Sequence, residues 1–263
     1  MPQKAKLGQN FLADRSARVR IVEALGSIAD KTVVEIGPGQ AAITEILAQR
    51  TSKLIAVELD RELAASLRKK QFAGTSVHVI EQDILTVDLA SLRGNDEKLL
   101  VVGNLPYYIT SDILLHLFRY HDAISRAVVM MQREVADRVA AAPGTRDYGL
   151  LSATTQLYAR VEKLMTLPPG AFSPPPQVHS SVLRLTFAPR FEELGIDVDG
   201  FIAFLRQCFA QKRKTLQNNL RAAGYEPPVI SRAAEHAGVS LQARAEALPL
   251  EAAAKLYRAL HGN

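Results

Sequence analysis

The segment Asn104-Leu105-Pro106-Tyr107 carries the most direct chemical signal in this sequence. It follows the apolar run Leu99–Val102 and one glycine, and such a run is typical of a buried parallel strand. Functional groups of open α/β sheets collect at the carboxyl ends of these strands. The asparagine side-chain carbonyl and the backbone carbonyl of the following leucine or proline could accept both hydrogens of an exocyclic amine. The tyrosine offers a flat face for a base, so the segment is suited to hold an amine beside a methyl donor.

A glycine-containing segment, Gly37-Pro38-Gly39, lies between the apolar run Thr32–Ile36 and a predicted helix over Ala41–Gln49. Glycines there let the backbone approach a ligand closely. Glu58 stands 21 positions after Gly37, at the end of the next apolar run. That spacing suits a carboxylate that binds ribose hydroxyls. Either S-adenosylmethionine or a dinucleotide cofactor would use such an arrangement.

A third apolar run leads to Asp83, whose carboxylate could accept a hydrogen bond from an adenine amino group. Each feature also has an ordinary structural alternative: tight turns for the glycines and for residues 104–107, surface charge for Glu58, and a loop-start aspartate for Asp83. Four successive strand ends that carry such groups are not expected by coincidence. The sequence therefore predicts a nucleotide-type binding site.

The composition is that of an ordinary globular protein, with 263 residues, 48% hydrophobic and 22% charged. Cys208 is the only cysteine, which excludes an intrachain disulfide and a cysteine-based metal cluster, and no metal site is expected. No apolar run approaches membrane-spanning length, and the first residues contain no apolar signal core. We therefore expect a cytoplasmic protein without membrane contact.

The formal net charge of +5 weakly favours a polyanionic partner. Its distribution is more informative, because residues 201–225 contain no acidic side chain. We expect this basic segment to contact nucleic acid, with a solvated helix face as the alternative. Its basic residues are Arg206, Lys212, Arg213, Lys214 and Arg221.

Strand and helix patterns alternate along the first two thirds of the chain and end in a hairpin pair over 161–167 and 180–187. This alternation predicts an α/β fold with a doubly wound sheet. Pro189 and the loosely acidic stretch Glu192–Asp199 mark a boundary, beyond which the pattern is purely helical. The predicted domains are 1–189 and a small all-helical domain over 190–263.

The chain resembles the KsgA/RsmA-type ribosomal RNA adenine N6,N6-dimethyltransferases of the bacterial small subunit. It departs from their pattern at Met131, where an aromatic residue is usual, and at Ala41, where related methyltransferases often carry glycine. The matching motifs occur in family order over nearly the whole chain: Leu7–Leu12, Glu35–Gly39, Val57–Asp60, Gln82-Asp83, Asn104–Tyr107, Met131–Val135 and Phe172–Ser180.

The resemblance implies a class I (Rossmann-like) methyltransferase domain over 1–189, an RNA-binding domain over 190–263, and S-adenosylmethionine as cofactor. It implies a reaction centre of Asn104, Leu105, Pro106 and Tyr107, with Phe172 stacked on the target adenine opposite Tyr107. A core aromatic beside a proline-rich turn is the alternative for Phe172. The cofactor residues implied are Gln9, Asn10, Leu12, Gly37, Gly39, Glu58, Asp83 and Asn104.

The function implied by this resemblance is dimethylation of two adjacent adenosines in the 3′-terminal hairpin of 16S rRNA. The enzyme would act as a monomer on the assembling 30S particle, in small-subunit biogenesis. Three alternatives stay open at this point. They are an NAD-dependent dehydrogenase, for which residues 104–107 have no use, a 23S rRNA methyltransferase of the antibiotic-resistance type, and a non-catalytic assembly or transcription factor on the same fold.

Overall fold

The computed structural model describes residues 10–72, 75–94 and 98–262, and contacts between Cα atoms divide the chain into two compact units. The first unit runs up to Ala136 and resumes over Val161–Phe187. The second contains Asp137–Arg160 and the chain from Ala188 onward. Residues 137–160 thus group with the C-terminal helices, whereas the sequence-based division placed them in the first domain. The assignment of one catalytic and one RNA-binding domain stays a prediction.

Short and medium-length elements build both units. The strands are β1 (Phe11–Leu12), β2 (Thr32–Ile36), β3 (Lys53–Glu58), β4 (Val77–Glu81), β5 (Leu99–Asn104), β6 (Ile124–Gln132), β7 (Ala159–Leu167), β8 (Phe172–Ser173) and β9 (Ser180–Phe187). The helices are α1 (Arg15–Glu23), α2 (Thr44–Ala48), α3 (Arg61–Lys69), α4 (Thr110–Arg119), α5 (Arg133–Val139), α6 (Leu150–Tyr158), α7 (Phe191–Leu194), α8 (Val198–Cys208), α9 (Leu216–Ala222), α10 (Pro227–Ala237) and α11 (Leu250–His261).

The main sheet of the described residues has the strand order β4-β3-β2-β5-β6-β9-β7. The strands from β2 to β6 run parallel, and β9 is antiparallel to β6. From β2 the chain builds outward to β4, and it then returns to place β5 on the other side of β2. Ligands of open α/β sheets bind at such a reversal of strand order. This order confirms the predicted doubly wound sheet.

The strands at this reversal form for a simple reason. All of β2 and all of β5 except its last residue are buried, and strands covered on both faces read as continuous apolar runs. The helix that follows β3 is started by Asp60, whose side chain accepts hydrogen bonds from the backbone N–H groups of Glu62 and Leu63. This cap ends β3 sharply after Glu58 and turns the chain away from the sheet edge.

Three local features differ from the sequence-based expectation. The helix predicted over Ala41–Gln49 is only Thr44–Ala48, because Ala41 has φ +69° and lies in the loop. The acidic stretch Glu192–Asp199, read as a domain boundary, overlaps α7 and the start of α8. The two-stranded pair of β1 and β8 was not predicted at all, since two-residue strands leave no periodic signal.

Among the described residues, no helix combines the length and the apolar character that crossing a membrane requires.

At Gly103 the strands β2 and β5 leave no room for a side chain. Gly103 pairs with Ile36, and a Cβ atom on Gly103 would stand 2.7 Å from the Ile36 carbonyl oxygen. Gly103 and the Ile36 carbonyl belong to the backbones of two buried strands, so neither can move aside easily. The sequence marked this glycine only as a spacer before Asn104, but the contact requires it.

We predict that Gly103→Ala lowers the free energy of unfolding by about 1–3 kcal/mol, the usual cost of overpacking a core. Urea denaturation of both proteins measures the difference. Gly170→Ala is the matched control, because a Cβ atom there meets nothing within 4 Å. Equal unfolding midpoints for Gly103→Ala and the wild type would contradict the close approach of the two strands.

A second feature of β2 is a buried acid, Glu35, which is 2% exposed. Its Oε2 atom has no hydrogen-bond partner in the described residues. Burial raises the pKa of Glu35 to about 7, and the nearby charge of Glu58 adds to the increase, while Thr44 opposes it. The folded protein therefore holds the Glu35 proton at pH values where the unfolded chain has lost it.

A folded-state pKa above the unfolded value makes the free energy of unfolding fall as pH rises from about 4.5 to about 7. We predict that Glu35→Gln removes this component. The variant should gain roughly 3 kcal/mol relative to wild type across that interval, at about 1.4 kcal/mol per pKa unit. Urea denaturation at a series of pH values measures it, with the exposed Glu62→Gln as control. Parallel stability profiles for wild type and Glu35→Gln would contradict the prediction.

Candidate active site

An open cleft with an empty volume of about 820 Å³, part of it continuous with solvent, lies at the carboxyl ends of β2, β3 and β5. The structure thus brings together most of the residues singled out in the sequence. Those that line the cleft are Asn10, Gly37, Gly39, Glu58, Asp83, Asn104, Leu105, Pro106 and Tyr107.

Two of the expected site residues lie in the core, and the placement of a third is not described. Gln9 lies outside the described residues. Leu12 and Phe172 face each other in the β1–β8 pair, and each is 4% exposed within a hydrophobic cluster of the core. Phe172 therefore occupies the position of a core aromatic, which was the alternative considered for it. Its stacking on a base stays a prediction that this placement does not support.

The glycine loop after β2 is tight on both sides. Gly37 and Gly39 have φ values of +64° and +55°, a region that favours glycine. The backbone N–H of Gly37 donates to the carbonyl of Val57 at 2.9 Å. A Cβ atom on Gly39 would stand 2.8 Å from the ring of Phe11. The Gly37–Gly39 loop thus lies between β3 and the Phe11 side chain. Phe11 also lines the cleft, a role that was not predicted from the sequence.

Glu58 is fixed in orientation at the end of β3. It is 5% exposed, and its Oε2 accepts the Gly39 N–H at 3.0 Å while Oε1 accepts the Asp60 N–H at 2.9 Å. Burial raises the pKa of this carboxyl, and the two backbone hydrogen bonds counteract the increase. The result is a carboxylate that links the glycine loop to the start of α3 and presents acceptors to the cleft.

Asp83 lies at the start of a short 3₁₀ turn, Ile84–Thr86. Its Oδ1 accepts the Leu85 N–H at 3.0 Å, which leaves the other oxygen without a hydrogen bond in the described residues. The buried ring of His116 contacts the Val87 carbonyl through Nε2 at 3.0 Å and so holds this turn against α4. Burial lowers the pKa of His116, in keeping with a structural histidine.

Asn104 is the last residue of β5. In its side-chain amide the nitrogen makes a hydrogen bond and the oxygen makes none among the described residues. Its Nδ2 donates to the backbone carbonyl of Asn10 at 2.9 Å. Its Oδ1 is buried and has no partner in the described residues. A buried carbonyl without a donor costs about 1–3 kcal/mol. The site therefore holds an oriented acceptor that would be satisfied by an N–H group.

The backbone carbonyls of Leu105 and Pro106 also differ in whether they already accept a hydrogen bond. The Pro106 carbonyl already accepts from Thr110 Oγ1 at 3.0 Å and from the Ile109 N–H at 3.3 Å. The Leu105 N–H donates to Met130 at 2.9 Å, but its carbonyl accepts no hydrogen bond within the described ranges. The sequence left open which carbonyl assists Asn104, and these contacts favour Leu105.

Tyr107 is held at its hydroxyl end. Its OH group lies 2.7 Å from Ser180 Oγ, and Ser180 is fully buried in β9. Burial raises the pKa of Tyr107, so the phenol stays neutral. Ser180 had been quoted within a family motif without a role. A contact across 73 positions leaves no local signal, and the structure is needed to find it.

The adjacent Tyr108 also lines the cleft and is 61% exposed. This second tyrosine is visible in the sequence beside Tyr107, but no motif there assigns it a role.

The five basic residues of segment 201–225 are all exposed: Arg206, Lys212, Arg213, Lys214 and Arg221. No ion pair is recorded for them within the described residues. Lys212 donates to the backbone carbonyl of Arg146 at 2.9 Å. Arg146 is also exposed, and this contact places it beside segment 201–225 although it is 66 positions from Lys212 in the chain. No group of three or more His, Cys, Asp or Glu residues suited to a metal occurs in the part of the chain described.

Comparison with known proteins adds an independent line of evidence. The family model "Ribosomal RNA adenine dimethylase" matches residues 2–261. The chain is 65% identical over 257 residues to Ribosomal RNA small subunit methyltransferase A of Acidobacterium capsulatum, covering 98% of this chain and 91% of that protein.

Two solved structures are also similar. A dimethyladenosine transferase from Plasmodium falciparum has a TM-score of 0.78 at 22% identity, with 94% of this chain and 95% of that chain covered, which shows a shared fold. The 23S rRNA methyltransferase ErmE has a TM-score of 0.73 at 28% identity, with 96% and 100% covered. The family match along nearly the whole chain and the identity to the Acidobacterium protein agree with the cleft: this chain belongs to the ribosomal RNA adenine dimethylase family.

Proposed function

We propose that this protein transfers methyl groups from S-adenosylmethionine to the N6 amines of two adjacent adenosines in the 3′-terminal hairpin of 16S rRNA. It would act as a monomer on the assembling 30S particle. The observation that carries the proposal is the unpartnered Asn104 Oδ1 beside the unoccupied carbonyl of Leu105. The cytoplasmic setting and the role in small-subunit biogenesis stay predictions from the sequence.

The residues of the cleft fit S-adenosylmethionine. Gly37 places no side chain beside the Asn104 carbonyl, and the carboxyl groups of Glu58 and Asp83 line the cleft as hydrogen-bond acceptors. Gly37 would contact the amino-acid end, Glu58 the ribose hydroxyls and Asp83 the adenine amine, with Asn10 at the edge. When bound, this cofactor supplies a methyl group that its sulfonium charge already activates.

The protein itself has to position a poor nucleophile. The lone pair of an adenine N6 is delocalised into the ring, so the nitrogen must become pyramidal before it can react. Asn104 Oδ1 and the Leu105 carbonyl accept one N–H each and direct the lone pair away from themselves. They also stabilise the positive charge that grows on nitrogen. Neither group removes a proton: the positively charged amine releases one N–H proton to solvent after the transfer.

The arrangement also accommodates a second methylation. A monomethylated amine keeps one hydrogen, so one acceptor stays engaged while the other side tolerates a methyl group. The ring of Tyr107, held by Ser180, offers a face on which the flipped base stacks. Such stacking contributes about 1–3 kcal/mol per base in single-strand binders, and unpaired nucleotides cost least to capture.

The identity of the ribosomal subunit is supported by the comparisons. The Acidobacterium relative carries the small-subunit name at 65% identity, whereas the 23S enzyme is 28% identical. The alternative of a 23S target therefore has weaker support. A non-catalytic factor would have no use for an oriented, unsatisfied acceptor at the end of β5.

The exposed basic residues of the second unit supply the proposed RNA contact. Arg146 joins them through its carbonyl contact with Lys212. Cations without ion-pair partners are free to bind phosphates, and such contacts weaken as salt concentration rises.

We predict that Asn104→Ala lowers methyl transfer to undermethylated 30S particles by about 100-fold or more, as loss of one preorganised polar group typically does. Cofactor affinity, measured by calorimetry, should change little, because the other cofactor contacts remain. The control is Asn218→Ala, which removes an exposed asparagine from α9. Near-normal incorporation of labelled methyl by folded Asn104→Ala protein would refute the role of Asn104.

We also predict that the triple change Lys212→Gln, Arg213→Gln and Lys214→Gln weakens binding to 30S particles and flattens its salt dependence. The slope of log K against log salt should fall by up to about 2, at roughly 0.7 per phosphate contact. Exposed Arg232 and Lys255, changed to Gln together, provide the control. An unchanged slope for the triple variant would place the RNA contact elsewhere.

A further inference from the structure

We propose that Tyr108 binds the base next to the target adenosine, and so positions the pair of adjacent nucleotides for methylation. This inference rests on the function proposed above. It assigns a substrate contact to a residue that neither the motifs nor the cofactor site explains.

The first observation is the environment of Tyr108. It is 61% exposed. Four large hydrophobic side chains of the described residues are exposed, and Tyr108 is the most exposed of them. The others are Leu59 (50%), Leu115 (39%) and Val178 (44%). Tyr108 is the one aromatic residue among these four, and no hydrogen bond or ring contact is recorded for it in the described residues. An aromatic face at the edge of a binding cleft is therefore left free.

The second observation is the contrast with Tyr107. The two tyrosines are consecutive in the 3₁₀ turn Tyr107–Ile109, yet Tyr107 is half-buried and held by Ser180. Successive side chains of a 3₁₀ turn point about 120° apart, while their Cα atoms are only about 3.8 Å apart. One ring is thus fixed inside the cleft and the next stands free beside it. Adjacent bases of a single strand need two such neighbouring platforms.

The third observation is the position of Tyr108 on the sheet. Glu58 is the last residue of β3 and the exposed Leu59 follows it, whereas Tyr108 follows β5, on the opposite side of β2. Strands are about 4.8 Å apart, so these two sides of the cleft are separated by about 10 Å. The Tyr108 ring therefore lies on the same side of the cleft as Asn104, which is proposed to hold the amine. It lies on the opposite side from Glu58, the proposed ribose contact.

Stacking also suits a substrate with two targets. Every base has a π face, so an aromatic platform accepts a neighbour without reading its identity. When one adenosine occupies the reaction centre, the other can lie on Tyr108, whether or not it already carries methyl groups. Captured as a pair, the two nucleotides leave their stack together.

The test compares Tyr108→Ala with Tyr108→Phe, which keeps the ring and removes the hydroxyl. Leu115→Ala is the matched control, because it truncates another exposed apolar residue nearby on α4. Steady-state methyl transfer is measured on undermethylated 30S particles, and on particles reconstituted with 16S rRNA in which one target nucleotide lacks its base. Cofactor affinity is measured by calorimetry for every variant.

We expect Tyr108→Ala to raise KM for normal particles about 10-fold, with kcat and cofactor affinity little changed. Tyr108→Phe and Leu115→Ala should stay within about twofold of wild type. On particles with the abasic neighbour, wild type and Tyr108→Ala should have the same KM. A KM for Tyr108→Ala within twofold of wild type on normal particles overturns the inference, as does an equal loss of cofactor affinity. Failure of the wild type to methylate any 30S particle would instead overturn the proposed function itself.

Discussion

The hydrogen bond from Asn104 Nδ2 to the carbonyl of Asn10 is the interaction on which the account depends. It ties the end of β5 to the segment that enters β1, and it fixes the orientation of the Asn104 amide. The buried Oδ1 is left unsatisfied, a cost that the folded protein carries until an N–H donor arrives. The neighbouring Leu105 carbonyl supplies the second acceptor. Methyl transfer to an amine then needs orientation and charge stabilisation from the protein, and both come from neutral oxygens.

The sheet holds the cleft residues in place at some cost in stability, because it contains a tight backbone approach and two buried carboxyl groups. β2 and β5 approach so closely at Gly103 that no side chain fits. Glu35 is buried in β2 with a raised pKa, two residues before Gly37, and the carboxyl of Glu58 is desolvated at the end of β3. The apolar burial of the strands offsets these costs. Rigid strand ends hold the cleft residues in register, which loops alone would not do.

Much of this could be predicted from residue patterns. The order of strands and helices follows local rules. The same holds for the glycine loop, Glu58, Asp83 and Asn104, because each stands at or just after the end of an apolar run. Features that depend on distant contacts could not be found in this way. Ser180 meets Tyr107 across 73 positions, Phe11 covers Gly39, and Arg146 reaches the basic segment through Lys212. The core position of Phe172 likewise depends on its pairing with Leu12. Strands of two residues are too short to leave a pattern in the sequence, so this pairing could not be predicted.

The most direct test is a structure of this protein bound to an undermethylated 30S particle together with S-adenosylhomocysteine. The account predicts that the target N6 lies within about 2.7–3.2 Å of both Asn104 Oδ1 and the Leu105 carbonyl oxygen, the normal range for such hydrogen bonds. A complex in which the amine faces other groups, with Asn104 Oδ1 still lacking a donor, would contradict it.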